Sequence, residues 1–154
     1  WHVDKLEAGF PSPTHDGKGT LFVMDNSSKV HALELATGKK LWEQKVGTVG
    51  KASMVFGDGK LYACDAKNFA VIQPPEAGKK KAKVLAKIEL GADAQTLGRE
   101  YFIFGSPAIS DGRIYLQTAA GTYCIGPKEI KKQEVEVPGL AVGHPPPAEP
   151  RPPP

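Results

Sequence analysis

The chain has 154 residues with a formal net charge of +3, 24% charged and 40% hydrophobic residues, the proportions of one water-facing domain with a buried core. Its longest uncharged apolar runs, such as Tyr101 to Phe104, are too short for a membrane-spanning helix, and no basic-then-apolar leader opens the chain. The basic residues are scattered apart from Lys79, Lys80, Lys81 and Lys83, which argues against a nucleic-acid partner, since that needs a coherent basic face with stacking aromatics.

Taken in chain order, the elements repeat. The first unit reads Ser12-Pro13-Thr14 and then Gly19-Thr20-Leu21-Phe22-Val23. The second reads Ser53-Met54-Val55 and then Asp58-Gly59-Lys60-Leu61-Tyr62-Ala63, and the third Ser106-Pro107-Ala108 and then Asp111-Gly112-Arg113-Ile114-Tyr115-Leu116. The serines are 41 and 53 positions apart. A period near forty built only of strand signals is the mark of a propeller blade. Asp58-Gly59 and Asp111-Gly112 lie between apolar runs, where two-residue hairpins need positive φ; Gly17-Lys18-Gly19 is a looser version. The runs from Leu21, Leu61 and Ile114 are apolar at successive positions, so both strand faces need cover, as stacked blades supply. Third strands are expected near Val30, Phe69 and Thr122. Outer strands that alternate charge with aliphatic follow at Lys87 to Leu90 and Glu134 to Val137.

The expected architecture is therefore all-β: a propeller segment of about three four-stranded antiparallel blades plus one strand of a preceding blade. Trp1 precedes Ser12 by the same 11 positions that separate Trp42 from Ser53, which assigns residues 1–11 to the last strand of a missing blade. Blades follow at 12–50, 51–104 with an insertion, and 105–137, and then a proline-rich disordered tail at 138–154. Such an arc cannot close alone. Leu21, Phe22 and Val23 are expected to meet water or another chain, so the partners are the remaining blades of the same protein or a second copy.

The stretch from Ala32 to Trp42, with Ala32, Glu34, Thr37, Gly38, Lys39 and Trp42 at its fixed positions, resembles the tryptophan-docking motif A-x-D-x-x-T-G-K-x-x-W of pyrroloquinoline-quinone-like (PQQ-like) propeller repeats. Glu34 stands where the motif has Asp. Thr37 and Gly38 suit a tight turn, and Trp42 is large enough to lock one blade on the next. The resemblance covers about residues 1–137. It implies either a non-catalytic propeller, serving as a scaffold or protein-interaction platform in a larger periplasmic or cell-envelope bacterial protein, or a fragment of a quinoprotein dehydrogenase with its active site in other blades.

The first alternative fits these residues better. The dehydrogenases of that family carry adjacent cysteines, whereas Cys64 and Cys124 are far apart. Asp25-Asn26 and Asp65 with Asn68 could offer oxygens to calcium but read as turn formers. Ser12, His15 and Asp16 lie around one hairpin rather than converging as a triad, and His2, His31 and His144 have no partner at ligand spacing. No catalytic residue, metal site or cofactor is therefore assigned. A candidate interaction loop comes from the insertion before the third unit, where Arg99, Glu100, Tyr101 and Phe102 combine an arginine with aromatics, as interface hot spots do.

Overall fold

The computed structural model describes residues 1–76, 78–90, 103–119 and 121–129. Among the described residues, eleven strands form three antiparallel sheets. The first holds β1 (Thr14–His15), β2 (Thr20–Met24), β3 (Lys29–Glu34) and β4 (Lys40–Lys45), side by side in that order. The second repeats the arrangement with β5 (Val55–Gly57), β6 (Lys60–Cys64), β7 (Asn68–Gln73) and β8 (Lys83–Glu89). The third has β9 (Ala108–Ser110), β10 (Arg113–Thr118) and β11 (Gly121–Ile125). The opening strands of successive sheets are neighbours, β1 beside β5 and β5 beside β9. This is the inner edge of a partial propeller, and among the described residues no helix is long and apolar enough to cross a membrane.

The hairpins form for the reason the sequence indicates. Asp58 and Gly59 adopt φ of 48° and 67°, and Asp111 and Gly112 adopt 49° and 69°, the paired positive angles that match the twist of the flanking strands. In the looser first hairpin, Asp16 takes over part of the turn: its Oδ1 accepts the amides of Lys18 at 2.7 Å and Thr20 at 2.9 Å. The third strands begin at Lys29, Asn68 and Gly121, and the outer strand of the second blade starts at Lys83, earlier than its alternating core implied.

The core lies between sheets, and strand alternation decides who faces whom. On β6, Leu61 and Ala63 pack with Phe22, Met24, Val30, Ala32 and Trp42 of the first blade. Tyr62 and Cys64, one position out of step, pack with Leu116 of the third blade and Ile103. β7 divides in the same way, with Ala70 and Ile72 toward the first blade and Phe69 and Val71 toward the third. The middle blade is thus covered on both faces, and the four residues Leu61 to Cys64 are all buried.

Two expectations need correction. Phe22 does not meet water: it is buried, with its ring 5.6 Å from Phe56 and 5.9 Å from Trp42, because the pleat turns it toward the second blade. Leu21 and Val23, which point the other way, are half-buried. Residues 1–11 also form no strand; a fourth strand needs a third to pair with, and none of the described strands is available to them. The fourth strand expected at Glu134 to Val137, and the tail at 138–154, lie outside the described residues.

Candidate functional site

The residues of the docking motif come together at the rim of the first blade. The β3–β4 turn closes through backbone bonds from the amides of Thr37 at 3.3 Å and Gly38 at 2.8 Å to the Glu34 carbonyl. The Thr37 hydroxyl donates to the Glu34 carboxylate and accepts from the Lys39 amide at 3.2 Å. Glu34, longer than the aspartate of the motif, still reaches the threonine. Gly38 sits in the left-handed region at φ 73°, and a Cβ there would lie 2.5 Å from Cε3 of Trp1. Trp1 therefore lies against a position where any side chain would be strained in its backbone and would displace the indole. Its indole nitrogen donates to the Leu35 carbonyl at 3.0 Å.

Trp42 stands opposite Ala32 on β3 and β4, beside an irregularity in the register that displaces Leu41. It is 7% exposed and belongs to the core shared with the second blade. Lys39 is exposed. Arg99, Glu100, Tyr101 and Phe102 lie outside the described residues.

A further interlock between blades is not visible in the sequence. Asp65, which reads in sequence as a turn former, is buried at 1% exposure. Its carboxylate accepts the amides of Lys67 at 2.8 Å and Asn68 at 2.5 Å within its own turn, and the Asn68 side-chain amide at 3.0 Å. Across the blade boundary it accepts the Thr48 amide at 3.1 Å. A buried charge is tolerated when donors surround it in this way. Gly47 makes the approach possible, since a Cβ at that position would stand 1.4 Å from Asp65 Oδ2. Spacing could not have shown the bond between blades, because its donor, Thr48, lies in the linker that precedes the second blade.

In the first blade the equivalent turn holds Asp25. Its Oδ1 accepts the Ser27 hydroxyl at 2.7 Å and the Lys29 amide at 2.9 Å, and its Oδ2 lies 2.9 Å from Nε2 of His31. Burial works against the charge, but the hydrogen bonds from His31, Lys29 and Ser27 outweigh it and hold the carboxyl down at about 2. His31, which has no obvious sequence partner, is thus tied to Asp25, with Glu43 3.9 Å from its other nitrogen. Along the inner edge the serines of the repeat join successive blades: the Ser12 amide donates to Ser53 Oγ at 2.8 Å, and the Ser53 amide to Ser106 Oγ at 3.1 Å.

A quinone and calcium do not fit these residues. Cys64 is buried on β6 and Cys124 exposed on β11, both free thiols in separate blades. The oxygens that could have met calcium are committed: those of Asp25 and Asp65 as above, and Asn26 Oδ1 to the Gly9 amide at 2.9 Å. Among the described residues no three His, Cys, Asp or Glu side chains converge as metal ligands.

The comparisons with known proteins agree with the fold. No curated protein matches the chain significantly. Among solved structures, a quinohemoprotein alcohol dehydrogenase from Pseudomonas putida HK5 superposes with a TM-score of 0.62 at 17% identity over 79% of this chain and 19% of its own. BamB from Moraxella catarrhalis gives 0.52 at 17% identity over 70% and 30%, and a europium-containing methanol dehydrogenase 0.57 at 14% over 77% and 23%. At such identities the likeness is one of fold, and the chain spans less than a third of each of these structures. The family model described as outer membrane protein assembly factor BamB, a PQQ-type propeller model, matches residues 1–125. With three propeller sheets in register and a match over most of its length, the chain belongs to that family.

Proposed function

We propose that the chain is a non-catalytic propeller module, a rigid scaffold or protein-interaction platform within a larger extracytoplasmic bacterial protein. The observation that carries this reading is the use to which the polar groups are put. The Asp65 carboxylate is occupied by amide donors from both sides of a blade boundary, and Asp25 is occupied by His31 and its own turn. Groups engaged in this way stiffen the arc and have little capacity left for acid–base or ligand chemistry. In the same reading Ala32, Glu34, Thr37, Gly38, Lys39 and Trp42 are the lock between blades, and Arg99 to Phe102 a loop available to a partner. The name of the family and of the Moraxella catarrhalis structure supports a role among outer-membrane assembly factors.

The test is reconstitution with pyrroloquinoline quinone and calcium, followed by gel filtration. The expected result is no quinone absorbance with the protein. Quinone co-eluting at one-to-one stoichiometry would establish the other reading, a dehydrogenase fragment.

A further inference from the structure

The connection between third and fourth strands differs between the first two blades. In the first it is short, residues 35–39, and Gly38 lies under Trp1. In the second it runs through residues 74–82, opens on Pro74-Pro75, and carries Gly78 at φ 82° with nothing within 4 Å of where a side chain would stand. Trp42, which holds the place in its repeat that Trp1 holds before the first blade, therefore packs beside Phe22 rather than under a closed turn. The lengthened turn leaves a groove of about 1060 Å³ at the rim between the two blades. Leu41, Pro74 and Pro75 supply its accessible apolar lining, over a floor that reaches the edges of the buried Trp42 and Phe22.

Its charged lining is unbalanced. The carboxylates are committed: Asp16 to the Lys18 and Thr20 amides, Glu43 to the ammonium groups of Lys29 and Lys40, and Glu76 to that of Lys79. Lys18, Lys39 and Lys80 also line the groove, are exposed, and have no carboxylate within ion-pair distance among the described residues.

We infer that this groove is a docking site for an acidic, extended segment of a protein partner. An apolar side chain of that segment seats against Leu41 and the two prolines, above the edge of Trp42, and its flanking carboxylates pair with Lys18, Lys39 and Lys80. The volume is at the upper end of what a single small ligand fills, roughly 300 to 1,000 Å³, and suits several residues of a chain. An apolar anchor beside an excess of positive charge is how a groove selects such a segment. The inference rests on the interaction-module reading and names the chemistry of its partner.

The probe is a fluorescein-labelled ten-residue peptide of glutamates with a central phenylalanine, followed by anisotropy against the whole chain. Binding is expected, and the triple variant Lys18→Glu, Lys39→Glu, Lys80→Glu weakens it about tenfold or more. All three lysine side chains are exposed, and circular dichroism checks that the variant keeps the parent's fold; the double variant Lys18→Glu, Lys80→Glu leaves the turn that holds Lys39 untouched and gives the same direction. Replacing the peptide's phenylalanine by serine also weakens binding. The inference is overturned if both lysine variants bind the peptide as tightly as the parent, if a lysine-rich peptide competes equally, or if a single-stranded oligonucleotide competes better than the acidic peptide. None of these outcomes moves the quinone result, and co-eluting quinone would leave the anisotropy unchanged.

Discussion

The amide of Ser53 donates to the hydroxyl of Ser106 at 3.1 Å, repeating one blade further along the bond that Ser12 makes to Ser53 at 2.8 Å. Each serine hydroxyl is thus an acceptor for the blade before it. Ser53→Ala should remove the acceptor of the Ser12 amide and lower stability by about 0.5 to 1.5 kcal/mol, the net worth of one hydrogen bond. Urea unfolding would show a lower midpoint at unchanged slope. An unaltered midpoint would mean that the serines contribute no inter-blade energy.

Gly47→Ala should be far more damaging. Its Cβ would overlap the Asp65 carboxylate, so either the linker moves and the Thr48 bond is lost, or Asp65 turns away and leaves buried amides without an acceptor. Overpacking alone costs about 1 to 3 kcal/mol, and each orphaned group about as much again. The expected outcome is a chain without a cooperative thermal transition. Asp65→Ala should relieve the overlap yet remain destabilised, so the double variant should lose less than the sum of the two.

Asp25 makes the fold acid-sensitive in a defined window. Its folded carboxyl titrates near 2, below the ordinary value of 3.8, so its contribution is complete above about pH 4 and is lost as the pH falls toward 2. A depression of this size corresponds to about 2 kcal/mol. Asp25→Asn should be less stable than the parent at pH 6 and should lose less between pH 4 and pH 2. Parallel stability curves for the two proteins would exclude the effect.

The two thiols should separate by reactivity. Burial, with a smaller effect from the charge of Asp65, pushes Cys64 up to about 12, whereas Cys124 is exposed. Thiolate is the reacting form. One equivalent of a disulfide reagent should therefore react at neutral pH in the folded chain, and the second after unfolding. Rapid reaction of both would show that the β6 interface opens readily.

Much of the framework is legible in the residues. Asp-Gly pairs dictate their hairpins because few other residues tolerate the required backbone angles, and the serines of the repeat mark the inner edge. What escapes a linear reading depends on closeness in space. Asp65 and Asn68 look like any polar turn until Gly47 and Thr48 arrive from the neighbouring blade. A run of apolar residues such as Leu21 to Val23 does not say which of them the pleat turns inward, and Phe22 is the one it buries. The groove arises from the extra length of the turn beginning at Pro74, and its consequence appears only when Trp42 is placed beside it.

The serine ladder has a direction. Every rung runs from an amide of the earlier blade to a hydroxyl of the later one, so the two ends of the arc are not alike: Ser12 offers the hydroxyl that a preceding unit would use, and Ser106 the amide that a following unit would receive. Surfaces of that kind are polar in the geometrical sense, and two arcs meeting through them can join head to tail but not face to face. Any assembly built through these edges has cyclic or helical symmetry, and a two-fold dimer can use them only by joining both ends of each arc at once, as a closed ring.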